Sequence, residues 1–388
     1  MIAYNPTWLA NLRLQEILKD DLSKGRISDD EFKAISVKYP VGFYTPGFFA
    51  RMGLFIVTCI VALFAFGLIA LMADSGNIID TPGFPFTLGV LSYIALEAMV
   101  NANKHYRSGV DDALLYASAG AFSAAVVMMF HYGYNQNNDV AIWGIIFLLA
   151  LFLAIRFTDM LITALCAVSF FLFIYFTWTR IIPSGAATVP FILMLVSAGA
   201  YWFVYANRAK HLHYENCLII AQVGCLLVLY AAGNYYVIQT LGDELRGTIN
   251  SPVPFAGVFW AWTIGLPFVY LGFGVKRKDV ILLRIGLLLI AAAALTFRTY
   301  YYVLQLDVAL TLVGAILLSI AYGVIKYLKT PKHGFTYAEP EDEHEIDRLK
   351  VESLLIAESF STAPAAPSAT GTRFGGGDFG GGGSSANF

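Results

Sequence analysis

Ten runs of roughly 20 mostly apolar residues, separated by polar or Pro/Gly breaks, dominate the chain. They cover approximately 52–72, 84–102, 111–130, 139–156, 159–178, 187–205, 215–238, 254–274, 279–298 and 306–327. At a rise of about 1.5 Å per residue, runs of this length cross a hydrocarbon layer of about 30 Å as helices. An open sheet would leave backbone N–H and C=O groups without partners in lipid, so the pattern predicts helices throughout. The expected fold is all-α: a cytoplasmic helical hairpin over 1–51, a ten-helix transmembrane domain over 52–328, and a cytoplasmic tail over 329–388.

Composition agrees with this reading. Hydrophobic residues make up 58% of the chain and charged residues 13%, against about 45–50% and about 25% in soluble domains. The balance of 25 Lys+Arg against 27 Asp+Glu lacks the basic excess of a nucleic-acid binder. Cys59, Cys166, Cys217 and Cys225 all fall inside predicted spans with no CxxC spacing, so neither a disulfide framework nor a structural zinc is expected. No metal or other cofactor is expected either. The first 50 residues are charged, with no short apolar run ahead of a small-residue cleavage site, which argues against a signal peptide.

Charge asymmetry sets the orientation. Lys and Arg collect before the first span and then at Lys104, Arg107, Arg156, Arg208, Lys210, Lys276–Lys278, Lys326, Lys329 and Lys332. The opposite ends carry only Arg180, Arg246 and Arg298. Both termini are therefore expected in the cytoplasm, with the chain in the inner membrane and the lipid bilayer as its first partner. Asp111, Asp112, Asp139, Asp159, Glu215, Asp279 and Asp307 open predicted spans, where a carboxylate complements the positive end of the helix dipole. Trp143, Trp178, Trp202, Trp260 and Trp262, with Tyr235, Tyr236 and Tyr300–Tyr302, sit near span ends as an aromatic belt does.

Two soluble appendages flank the apolar region. Leu14, Ile17, Leu18 and Leu22 recur at helical spacing, Gly25 suits a helix end, and Ser28-Asp29-Asp30-Glu31 reads as a capping box with Ile27 and Phe32 as its staple. Helices this short are marginal in water alone. Their apolar stripe must rest on the membrane surface, on loops of the same chain, on a second copy or on a partner. At the other end, 340–358 reads as a short helix followed by a Gly-rich, Phe-punctuated segment whose composition predicts disorder. The sequence points to self-association or a protein partner through residues 1–45 and 340–388.

The run Leu14-x-x-Ile17-Leu18 through Gly25-x-Ile27-Ser28-x-x-Glu31-Phe32, followed by the long apolar region ending in FRTYYYVLQLDVALTLVGAILLSIAYGVIKYL (Phe297 to Leu328), is similar to the predicted membrane proteins of domain-of-unknown-function family 2157. The resemblance covers most of residues 10–330 and implies a bacterial multi-pass inner-membrane protein. It implies no chemistry and no site residues. The tail with Phe374, Phe379 and Phe388 resembles Gly-rich tails of other bacterial membrane-anchored proteins, including those with a TPM domain.

Charged and polar groups inside lipid are costly, so each is a candidate for function. Glu97 and Arg284 each stand about 9 Å in from the Lys/Arg-rich edge, six residues from Asn103 and Lys278, and Gln222 lies at a similar depth. Together they form a candidate intramembrane polar site. Gly265 and Pro267 mark a candidate helix break, since proline removes a backbone bond and broken helices line many transport sites. His211, His213 and Glu215 share a loop, a spacing better suited to a wet interface than to a metal. The P-loop, nucleophile elbow, HExxH and dinucleotide motifs are absent. These readings favour a non-enzymatic scaffold or regulatory protein, with a secondary transporter of a small solute as the alternative.

Overall fold

The computed structural model describes residues 2–73, 78–131, 138–182, 185–208, 210–246 and 252–301, with isolated positions between 308 and 326. The tenth candidate span falls mostly outside the described residues, and the whole of 339–388, a separate unit, lies outside them. Among the described residues there are only helices and one isolated bridge, between Tyr44 and His105.

Two helices precede the apolar region, α1 (Pro6–Ser23) and α2 (Asp29–Lys38). Asn5 caps α1 by accepting from the amides of Thr7 and Trp8. The helix ends in a Schellman arrangement: Gly25 N–H donates to the Leu22 carbonyl, Arg26 N–H donates to that of Asp21, and Gly25 takes φ +70. The capping box forms as its sequence predicts, with Ser28 Oγ accepting from Glu31 N–H and Glu31 accepting from Ser28 N–H. The Ser28 amide and the Ser28 hydroxyl, both donating to Glu31 Oε2, hold that carboxyl below the usual carboxylate range. The box is intact above the ordinary carboxylate pKa and loses its contribution as pH falls through the lowered Glu31 value. We expect exchange of the Glu31 amide, corrected for its intrinsic rate, to quicken in acid, and Ser28→Ala to abolish that dependence.

The long helices are α3 (Phe48–Ala73), α4 (Gly83–Asn101), α5 (Val110–His131), α6 (Asp139–Phe157), α7 (Met160–Ile181), α8 (Gly185–Arg208), α9 (Glu215–Ala231), α10 (Tyr235–Arg246), α11 (Ala256–Arg277) and α12 (Val280–Tyr300). Eight are individually long and apolar enough to cross a membrane, and α9 with α10 adds a bent ninth candidate. The chain is thus a multi-pass membrane protein. The strongest packing joins α4 to α5, α6 to α7, α8 to α9, and α11 to α12. Each of these helical hairpins turns at the Lys/Arg-rich end.

Two of these turns share one device. Thr158 and Lys278 take left-handed φ of 51 and 55, and the next residue, Asp159 or Asp279, caps the following helix by accepting its amides. The carboxylates opening the other two hairpins do something else. Asp112 binds Arg51, and Glu215 binds Arg13 and Arg208.

One correction concerns the seventh predicted span. Instead of one helix over 215–238, α9 stops at Ala231 and α10 leaves at 74°. A Cβ on Gly233 would stand 2.2 Å from Trp262 Cδ1, so only glycine admits this approach. Side chains satisfy some of the backbone groups at the break. Trp262 Nε1 donates to the Leu229 carbonyl, and Tyr235 N–H donates to Thr263 Oγ1. Asn234 is buried and donates to Tyr230 Oη and Thr296 Oγ1, tying α9 to α12. The apolar count registered the hydrophobic run but not this lateral polar support.

The second close backbone approach is at Gly109, which takes φ +93 with its Cβ position 2.2 Å from the Arg51 carbonyl oxygen. It lets the start of α3 cross the α4–α5 turn. Gly109→Ala is expected to lower the melting midpoint in detergent by an amount worth at least about 2 kcal/mol, because left-handed strain and a backbone clash act together. Gly120→Ala, on α5 with open space around its Cβ position, is the control and should be neutral or stabilising.

Candidate functional site

Two polar centres lie within the membrane domain. The first sits at the Lys/Arg-rich ends of α3 to α7. Arg156 Nε donates to Glu97 Oε1 at 2.5 Å, Tyr93 Oη donates to the same oxygen at 2.8 Å, and Asn101 Nδ2 donates to Oε2 at 2.8 Å. Both carboxylate oxygens are therefore engaged, from α4 itself and from α6. Arg51 reaches Asp112 with two nitrogens, at 3.0 and 2.8 Å, joining α3 to α5. Tyr116 donates to Asp159 at 3.0 Å, joining α5 to α7. These side chains act as charged cross-ties between neighbouring helices.

The turn between α4 and α5 places His105 Nδ1 2.7 Å from Ser108 Oγ, and Ser108 Oγ donates to Asp111 Oδ1 at 2.8 Å. The residue types suggest a nucleophilic serine, but the connectivity does not provide one. In a working relay the carboxylate orients the imidazole and the imidazole takes the serine proton. Here the carboxylate accepts from the serine directly and also from the amides of Arg107 and Ser108, and Ser108 is completely buried. The arrangement stabilises a loop.

The N-terminal segment is built into this same end. Ala3 N–H donates to the Arg156 carbonyl at 2.8 Å. Tyr4 is only 6% exposed and meets Tyr106, Phe43 and Phe157 edge-on, with centroids 4.8, 6.1 and 6.3 Å away. Trp8 packs on Phe43, and the Lys104 ammonium lies over its ring at 5.0 Å. Burial, with Asp111 nearby, pushes the Tyr4 hydroxyl well above its usual pKa. Farther along α1, Arg13 donates to Glu215 at 2.6 Å. Of the α1 stripe, Leu14, Leu18 and Leu22 are half-buried and Ile17 is 53% exposed, and on α2 Val37 is 82% exposed. Glu215 is engaged by Arg13 and Arg208 rather than sharing a ligand set with His211 and His213.

The second centre lies among α8, α9, α11 and α12, where Leu226, Tyr230, Leu266, Tyr270, Leu282, Ile285 and Leu289 form a core. Gln222 is completely buried there and faces Tyr201 of α8. Tyr270 Oη donates to the Leu226 carbonyl at 3.0 Å. The predicted triad is divided between the two centres. Glu97 borders the core containing Leu96 and Val100, Gln222 belongs to the second, and Arg284 stands on an exposed face of α12. The intramembrane partner of Glu97 is Arg156, which the sequence counts among the turn charges because it stands one residue from the end of α6. Gly265 and Pro267 both lie within α11. Helix α11 continues from Ala256 to Arg277 through a buried Pro267, and Gly265 has open space around it. One missing backbone bond leaves the helix intact, and the break lies at Ala232–Asn234 instead.

Comparison with family models, with curated proteins and with solved structures gives no match.

Proposed function

We propose that this chain is a scaffold or regulatory protein of the inner membrane, presenting a cytoplasmic platform made of α1, α2 and the turns beneath them. The observation that carries this reading is the double use of Arg156. Its carbonyl holds the amide of Ala3, while its guanidinium closes the Glu97 carboxylate inside the membrane domain. A segment docked this firmly is a rigid display surface, and Ile17 and Val37 are the apolar side chains it displays. A partner protein or a second copy would cover them, with the tail over 340–388 as a second point of attachment.

The test is photo-crosslinking in intact membranes from residues placed at positions 17 and 37. Defined protein adducts support the platform. If lipid adducts alone form, and deletion of residues 2–45 leaves the cell unchanged, the reading fails. The alternative is a secondary transporter of a small solute. Buried Gln222 is the observation that favours it, and uptake lost in Gln222→Leu at normal protein levels would support it.

A further inference from the structure

Gln222 is 0% exposed, and neither its Oε1 nor its Nε2 has a hydrogen-bond partner within the protein. The buried hydroxyl of Tyr201 faces it and is likewise without one, the two groups lying outside hydrogen-bonding geometry. Three polar atoms from two helices are thus unsatisfied at one place. A buried amide left dry costs about 1–3 kcal/mol, and nearly all buried polar side chains have partners. A direct bond between the two residues would still leave one end of the amide open, because the carboxamide has an acceptor at one end and two donors at the other.

The surroundings narrow what completes the site. Tyr270 is engaged by the Leu226 carbonyl, and Cys225 lies one turn along α9. With an acceptor and two donors open on one buried amide, what completes it is small and able both to donate and to accept. Toward the Lys/Arg-rich end Tyr201 stacks on Tyr205 at 6.0 Å, and the Arg277 guanidinium covers the Tyr205 ring at 5.6 Å. A row of amphipathic side chains connects the site to that face.

We propose that Gln222 and Tyr201 form an internal water-binding site, whose water donates to Gln222 Oε1 or accepts from Nε2 and bonds the Tyr201 hydroxyl. Internal waters of this kind bridge groups the protein cannot pair.

The experiment is hydroxyl-radical labelling by X-ray radiolysis of the purified full chain, read by mass spectrometry. Radicals are generated from water in place, so buried side chains are modified only beside bound water. Labelling of Tyr201 and Cys225 is expected in the wild type, falling severalfold in Gln222→Leu while Tyr205 is unchanged. Absence of labelling at Tyr201 and Cys225 in the wild type, or equal labelling in the variant, would overturn the site. Should Gln222→Leu fail to fold, Gln222→Met keeps the volume and removes both polar atoms of the amide. Thermal unfolding gives a second readout: a dry, unsatisfied amide predicts that Gln222→Met raises the melting midpoint, and a hydrated one predicts that it lowers it.

Discussion

Tyr4→Ala is expected to release the N-terminal segment from the membrane domain. Tyr4 is held by three aromatic rings and is almost wholly buried. Truncating a buried aromatic side chain to alanine costs about 3–5 kcal/mol. The loss is local, because the segment's far end keeps its own ties, Phe43 stacked on Tyr106 and the Tyr44–His105 bridge, while near Tyr4 there remain the Ala3 amide, Trp8 and the Arg13–Glu215 pair. Limited proteolysis is the measurement. Cleavage within 24–47 should accelerate by at least about tenfold, while the transmembrane fragment stays intact. Tyr4→Phe keeps the ring contacts and should resemble the wild type at neutral pH. The raised pKa gives a further expectation with a definite sign. Docking is fully present below the unfolded tyrosine value of about 10 and weakens as pH rises above it, since only the neutral form fits the site. Tyr4→Phe should abolish that alkaline loss.

Breaking the Glu97–Arg156 pair is the second large effect. Removing one partner leaves the other, a partly buried charge, without its counter-ion between apolar helices, at a cost of about 1–3 kcal/mol. Glu97→Ala should cost more than Arg156→Leu in hydrogen bonds, because Tyr93 and Asn101 also lose their acceptor. The combination Glu97→Gln with Arg156→Leu is neutral and keeps an amide oxygen for Tyr93. It should recover most of the lost stability, since no charge is left without its partner. Melting midpoints of the wild type, Glu97→Gln, Arg156→Leu and the double variant of these two form the required cycle. A double variant as unstable as the sum of the singles would show that the pair is not the unit that matters.

The comparison between sequence and structure follows the same physics. Apolar length is a direct consequence of bilayer thickness, so the helices from 52–72 through 187–205 are legible from hydropathy alone. Local signals are equally direct: Ser28 with Glu31, Gly25, Asp159 and Asp279 all act within a few residues of themselves. Partner choice across helices is a different matter. Sequence depth places Glu97 and Arg284 at one level, yet depth says nothing of azimuth, and the arginine on the neighbouring hairpin is the one within reach. Gly233 and Asn234 look unremarkable in an apolar run. Their significance depends on Trp262, Thr263 and Thr296, which lie at least 28 residues away. Pro267 carries the opposite lesson, because a strong local breaker stays inside a continuous helix.

The most direct measurement of the central claim is photo-crosslinking from position 37 in membranes, compared with position 63 on the exposed face of α3. A docked display platform predicts a defined protein adduct from position 37, a partner or a second copy told apart by mass, and its loss when Tyr4→Ala is introduced. Position 63 should give lipid adducts. Lipid adducts from position 37, or a protein adduct that persists unchanged in Tyr4→Ala, would contradict the account.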